Sequence, residues 1–357
     1  MIAAFVYVCA AALAAPSGEI AFIGTSQSGP ARIHILSIGT NNVRTVGPDN
    51  ALGPPAWSPD GLQLAFAVQT PSGAQIYVAD ADGASGRFLN HAQSGNTGPV
   101  WSPDGTQIAY TASAGLDAQV MVATLATGDE RPWGGGRTSL MMPAWTTQRV
   151  IDRLFERLSE DARPSFLPVL PSGAPSPPVL VAIGFVGGAT RTTDLFLLSE
   201  DEAAPLDERL LLAPGAYEES APSVSKEGIA FDSNDGGDRE IFVIGRRKSW
   251  DASNNAAADW RPVWSPDAHW IAFESFRSGT RGIYRCHKQS SRISRIVASP
   301  ASDCWGAAWS PDSAWIAFTS DANGGSSVWV VRADGEDLAR VSPEGMSAGH
   351  AAWRPAQ

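Results

Sequence analysis

Basic side chains are scarce in this 357-residue chain: 26 Lys and Arg stand against 37 Asp and Glu, for a net charge of −11. A phosphate backbone needs a basic footprint, so nucleic acid is excluded as a partner. Cysteine is nearly absent, with only Cys9, Cys286 and Cys304, but a chain of this length has core enough to fold without staples. A membrane-spanning run is missing too. The apolar stretch from Ile2 to Ala14 has 13 residues, too short for a bilayer core of roughly 30 Å. Charged residues make up 18% of the chain, yet 43% is apolar, which excludes disorder by composition.

Glycine and proline are plentiful instead, at 35 and 26 residues. They punctuate turns, so they exclude a long helical protein and point to many short strands.

Residues 1–14 read as a secretory signal. The apolar run ends in Ala12-Leu13-Ala14 before Pro16-Ser17-Gly18, although no basic residue precedes it. Export predicts a periplasmic or secreted protein. Cys286 and Cys304 would then be the two mature cysteines, and the strand reading below sets them too far apart to pair.

The sequence repeats itself. Trp-Ser-Pro-Asp occurs at Trp57–Asp60, Trp101–Asp104, Trp264–Asp267 and Trp309–Asp312. An Ile-Ala-Phe-like strand follows each copy, and weaker copies complete a series starting at 20, 64, 108, 181, 229, 271 and 316. A second series keeps step with it: Ile33, Ile76, Val120, Leu195, Ile241, Ile283 and Val328 each open an apolar triplet. Seven units of about 44 residues result, each with four strands, which is the signature of a propeller. The expected fold is therefore an all-β propeller of seven blades, six and eight being the neighbouring counts. Ala351-Ala352-Trp353 falls 44 residues after its counterpart at Trp309, so the C-terminal strand is expected to join blade 1 and close the ring. One propeller domain over 15–357 follows, interrupted by an insertion at about 146–178. There Val150, Ile151, Leu154, Phe155 and Leu158 have helical spacing and a Pro-rich stretch comes next. That helix is expected to cover the side of blade 4.

The Pro-Asp-Gly and Ile-Ala-Phe repeats, with the loop from Ser233 to Phe242, resemble the TolB-like β-propeller family. The resemblance implies an exported scaffold that binds other proteins, as TolB does in the periplasm with the peptidoglycan-associated lipoprotein. TolB has six blades and a separate domain before them; neither is expected here. Propeller lyases related to the family use a His-bound metal, so a polysaccharide-active lyase or hydrolase with its site at the channel is the alternative.

Catalytic patterns are weak. Gly345-Met346-Ser347-Ala348-Gly349 fits the nucleophile-elbow string but lacks the strand and helix that motif requires. His34, His91, His269, His287 and His350 have no metal-ligand spacing. The loop from Asp232 to Asp238 looks like a Ca²⁺ loop, but its twelfth position is Val243. No cofactor or metal is expected, and no catalytic residue is assigned.

Trp57, Trp101, Trp145, Trp264, Trp309 and Trp353 share one repeat slot and are read as anchors between blades. Asp60, Asp104, Asp267 and Asp312 are read as turn residues. Trp260 and Trp305 differ, each standing four residues before an anchor in neighbouring blades. They form the candidate binding face, with Asp235, Asp238 and Asn323 around the rim. Aromatic faces beside acids and amides suit a glycan or peptide ligand, or an envelope protein. Trp270 and Trp315 make a second matched pair on the opposite face, expected to pack against an outer loop.

Overall fold

The Trp-Ser-Pro-Asp segments close equivalent turns in the computed structural model of the chain. Ser58 Oγ donates to Asp60 Oδ1 at 2.6 Å, and the bond recurs at Ser102–Asp104, Ser265–Asp267 and Ser310–Asp312. Each carboxylate then accepts the backbone N–H two residues on, from Leu62, Thr106, His269 and Ala314. The Ser58 hydroxyl and the Leu62 N–H hold Asp60 below its ordinary value. Proline presets φ and the Asp side chain mimics a backbone turn, so the motif nucleates a hairpin wherever it occurs.

The structure describes residues 16–26, 28–89, 95–114, 117–135, 139–155, 170, 177–186, 192–205, 218–235, 237–245, 249–288 and 290–356. The signal segment, Cys9, His91, Leu158 and most of the Pro-rich stretch lie outside them. Blade 1 contains β1 (Gly18–Thr25), β2 (Arg32–Ile38) and β3 (Asn42–Val46). Blade 2 has β4 (Ala51–Trp57), β5 (Gln63–Thr70), β6 (Gly73–Asp80) and β7 (Gly86–Phe88). Blade 3 has β8 (Asn96–Trp101), β9 (Gln107–Ala114), β10 (Asp117–Thr124) and β11 (Glu130–Pro132). Blade 4 has β12 (Leu140–Thr147), then the helix α1 (Gln148–Phe155), then β13 (Pro178–Val186), β14 (Thr192–Leu198) and β15 (Ala203–Pro205).

Blade 5 has β16 (Glu219–Ser225), β17 (Gly228–Ser233), β18 (Glu240–Gly245) and β19 (Ser249–Asp251). Blade 6 has β20 (Asp259–Trp264), β21 (Trp270–Ser275), β22 (Gly282–His287) and β23 (Ser290–Val297). Blade 7 has β24 (Cys304–Trp309), β25 (Trp315–Ser320), β26 (Ser327–Arg332) and β27 (Ala339–Arg340). The last strand, β28 (Ser347–Trp353), pairs antiparallel with β1 and completes blade 1. Seven four-stranded sheets result. The ring is seven-bladed and closed by its C-terminal strand, as the repeats predict.

The alternation of large and small residues in the Ile-Ala-Phe strand follows from how blades stack. Leu64 and Phe66 of blade 2 pack with Ala21 of blade 1, while Ala65 on the other face packs with Trp101, Ile108 and Tyr110 of blade 3. All of these except Trp101 are at most 1% exposed. A small residue on one face receives the aromatics of the next blade, keeping the interior at crystal-like density.

The anchor tryptophans do more than fill space. The indole N–H of Trp101 donates to the carbonyl of Ala56 at 3.0 Å, Trp145 to Val100 at 3.0 Å, Trp57 to Ala352 at 3.1 Å and Trp309 to Val263 at 3.0 Å. Each acceptor directly precedes the anchor of the previous blade. The indole N–H groups of Trp264 and Trp353 are buried without a partner among the described residues.

Blade 4 corrects one assignment. Trp145 pairs with Leu180 as Trp57 pairs with Leu64, so the repeat triplet there is Leu180-Val181-Ala182, one residue earlier than the sequence suggests. A one-residue slip exchanges the two faces of a strand. Val181 therefore takes the small-residue slot facing blade 5. Blade 5 has room for it, because its anchor slot holds Val224, paired with Ile229, rather than Trp. The helix α1 fills the rest: Ile151 and Leu154, at 0% and 1% exposure, pack with Val181, Ile229 and Phe231. It is a wedge between blades 4 and 5 as well as a cover for blade 4. Cys286 and Cys304 are buried and unpaired with each other.

Candidate functional site

The innermost strands β4, β8, β12, β16, β20, β24 and β28 contact one another around the ring and line its channel. Every one of them breaks register once. A residue with left-handed φ marks each break: Gly53, Gly98, Met142, Ala221, Arg261, Gly306 and His350, all between 49° and 66°. Such bulges re-aim side chains beside binding sites. Four of the N–H groups at this slot are capped by a side chain from the preceding blade. Met142 N–H donates to Thr111 Oγ1 at 3.1 Å, Arg261 to Asp232 Oδ2 at 3.0 Å, Gly306 to Glu274 Oε1 at 2.8 Å and His350 to Thr319 Oγ1 at 3.2 Å. The four acceptors all follow directly after an Ile-Ala-Phe-like triplet, so Asp232 and Glu274, both buried, act as staples between blades.

Trp260 and Trp305 directly precede two of these left-handed residues, and an arginine from the preceding blade covers each. Arg239 Cζ lies 4.4 Å from the ring centre of Trp260, and Arg281 Cζ lies 5.5 Å from that of Trp305. Each arginine is held by the staple beside it, Arg239 by Asp232 at 2.6 Å and Arg281 by Glu274 at 3.5 Å. The indole N–H of Trp260 is buried without a partner among the described residues. Asp235 and the exposed Asp238 lie in the blade 5 loop between β17 and β18, and Asn323, also exposed, lies in the corresponding loop of blade 7. The loop of blade 6 stands between them.

Of the predicted residues, Trp305 lines a cavity of about 260 Å³ where blades 7, 1 and 2 meet at the channel mouth. Its other walls include Thr25, Leu52, Thr319, Ser326, Ser347 and His350. Sequence reasoning missed His350 here, and Arg261 in the equivalent slot of blade 6. The signal was available: both stand three residues before an anchor, where blades 3 and 7 have Gly98 and Gly306. Burial, and next to it the charge of Arg261, hold His350 below its ordinary value.

A larger cavity, about 440 Å³, opens on the opposite face beside Trp315, Glu19 and Arg354. Its charges already satisfy one another, since Glu19 accepts bonds from Arg44, Ser37 and Arg354. Trp315 is only 6% exposed, and Arg285 covers Trp270 at 4.0 Å, so these two indoles present no shared open patch. Ser347 lies within β28, without the strand–turn–helix of a nucleophile elbow. Among the described residues no group of three or more His, Cys, Asp or Glu could hold a metal.

A buried acid group joins blades 5 and 6. Ser253 Oγ donates to Glu240 Oε2 at 2.5 Å, Asn255 N–H to Oε1 at 2.8 Å, and Arg277 to Asp259 at 2.6 Å. Burial first, with the charges of Asp259 and Asp251, pushes Glu240 up from 4.5 to about 7. A carboxyl raised on folding contributes stability below its unfolded value and loses it as pH rises through the folded one. Melting curves should therefore show the wild type losing ~3–5 °C relative to Glu240→Gln between pH 5 and pH 8.5. A constant difference across that range would exclude Glu240 as the titrating group.

Residues 7–168 match the family model of the TolB beta propeller domain. No curated protein matches the sequence. Among solved structures, TolB from Acinetobacter baumannii is similar with a TM-score of 0.59 at 15% identity, over 95% of this chain and 67% of that one. The β-propeller domain of the Trilobed protease from Pyrococcus furiosus, described as having an open velcro topology, gives 0.65 at 11% identity over 92% and 96%. Pyrococcus horikoshii acylaminoacyl peptidase gives 0.61 at 12% identity over 91% of this chain and 51% of that one. This chain therefore spans about half of that peptidase. At such identities the likeness is one of fold, and function is argued from the site.

Proposed function

We propose that this chain, whose residues 7–168 match the TolB beta propeller domain, is a non-enzymatic binding scaffold, periplasmic or secreted, that holds a peptide segment or glycan at the channel mouth. The carrying observation is the Trp305 cavity. It opens where three blades converge and offers an indole and Leu52 as apolar surface, with hydroxyls of Thr25, Ser326 and Ser347 around it. Such a mixture of apolar body and few convergent polar groups is what small-ligand and peptide sites present. No described helix is long and apolar enough to cross a membrane.

Peptide and glycan arrays, followed by titration of the best ligand, test the reading. Trp305→Ala is expected to weaken binding about tenfold or more, as loss of a central aromatic anchor does. Unchanged affinity would remove the cavity from the binding surface. Depolymerisation of a polysaccharide on the same arrays would favour the lyase or hydrolase alternative.

A further inference from the structure

The residue before each left-handed position carries a side chain in six blades: Leu52, Thr97, Met141, Ser220, Trp260 and Trp305. Blade 1 has Gly349 there instead. Its own φ is not left-handed, so backbone conformation does not call for glycine. A Cβ at Gly349 would stand 3.2 Å from the Thr319 side chain. The absent side chain leaves the space beside Trp305 open, and Gly349 lines the cavity of about 260 Å³ there.

Polarity in this cavity changes with depth. Ala51, Thr319 and Ala348, each at most 2% exposed, form its floor. The one hydroxyl among them, Thr319 Oγ1, already accepts the His350 N–H at 3.2 Å. Ile23, Leu52 and Trp305 are half-buried walls. The remaining polar side chains, Thr25, Ser326, Ser347 and His350, are half-buried or exposed and belong to the mouth. Charge is missing throughout. No Asp, Glu, Lys or Arg lines the cavity, although the chain has 26 basic and 37 acidic side chains. Arg281, which covers the Trp305 ring, faces Glu274 and Asp303 instead. His350 titrates below its ordinary value and is neutral at pH 7.

Resting on the channel mouth as the binding site, we infer that this cavity is a specificity pocket for one uncharged, apolar side chain of a bound peptide, of leucine or phenylalanine size. A charged group entering it would lose water and meet no counter-ion. A pyranose would bring several hydroxyls to a floor with no free partner for them, and each one buried unpaired costs free energy. The floor offers too few polar groups to hold a water firmly, so an apolar guest displaces little that binds well. Its volume falls just below the roughly 300–1,000 Å³ of pockets for drug-sized ligands, which suits one side chain. The hydroxyls at the mouth are then placed for the amide groups of the peptide that carries it.

Calorimetric titration of the full chain would use a blocked alanine pentapeptide, uncharged at both ends, with Ala, Leu, Phe, Asp or Lys at its centre, and D-glucose beside it. The Leu or Phe peptide is expected to bind at least about tenfold more tightly than the Ala, Asp and Lys peptides and D-glucose. Leu52→Trp puts in blade 2 the residue that blades 6 and 7 have at this position, and is expected to fill the pocket and remove that preference. Leu52→Ala widens it and is expected to move the preference from Leu towards Phe, which a purely structural role would not do. No side-chain preference, tighter binding of D-glucose, no binding of any peptide at millimolar concentration, or an unchanged preference in both variants would overturn the inference. Trp305→Ala separates the two readings. If it weakens the best array ligand while the pentapeptides show no preference, the binding site stands and the apolar pocket falls; if it changes nothing, the site falls as well.

Discussion

Removal of residues 347–357 is expected to lower the calorimetric midpoint by at least ~10 °C, or to abolish the cooperative transition. The strand β28 is the sole partner of β1 on its inner side, pairing Ile20 with Trp353 and Thr25 with Ser347. Its loss would leave an open strand edge facing the channel. Trp353 packs with Ile20, Phe22 and Ala317, and cutting such a side chain to Ala costs about 3–5 kcal/mol by itself. The same deletion removes the Ala352 carbonyl that receives the Trp57 indole and the Arg354 guanidinium bound to Glu19 at 2.6 Å. Trp353→Ala separates packing from pairing, since it keeps the strand and should produce only the first part of the loss. A truncated chain with the melting curve of the full one would show that the ring does not depend on its closure.

The double variant Ile151→Ala with Leu154→Ala is expected to lose about 4–8 kcal/mol in denaturant unfolding, with each single change costing about 2–5 kcal/mol. Both side chains are fully buried against blades 4 and 5, and because they share neighbours their effects need not add. Their role as substitutes for an absent anchor is open to a direct check. Val224→Trp alone should overpack the interface and destabilise by about 1–3 kcal/mol. In the double-alanine background the same indole should enter the vacated volume and recover part of the loss. If Val224→Trp is equally harmful in both backgrounds, the helix does not occupy the anchor's place.

The repeats made most of the fold readable because turn chemistry is local. Ser, Pro and Asp act within five residues of one another, so each copy announces its own hairpin. Blade 4 has no such turn, and Val181-Ala182-Ile183 imitates the triplet as well as Leu180-Val181-Ala182 does, so its sequence points one position too late. Neither composition nor period decides between them; only pairing with Trp145 does. The site was harder still. Trp260 and Trp305 stand out in the sequence, but their arginine covers come from the preceding blade, a relation that exists only once blades are stacked. Arg261 and His350 look unremarkable as letters. Their meaning depends on a backbone conformation, and composition says nothing about φ.

The chain of indole-to-carbonyl bonds runs without a gap from blade 4 to blade 1, and again from blade 7 to blade 6. Among the described residues it is interrupted where Trp264 and Trp353 find no acceptor and at Val224. The Trp305 cavity sits at one of these interruptions, between blades 7 and 1, where the Thr319–His350 bond and the packing of Trp353 against Ala317 join the blades in place of an indole bond.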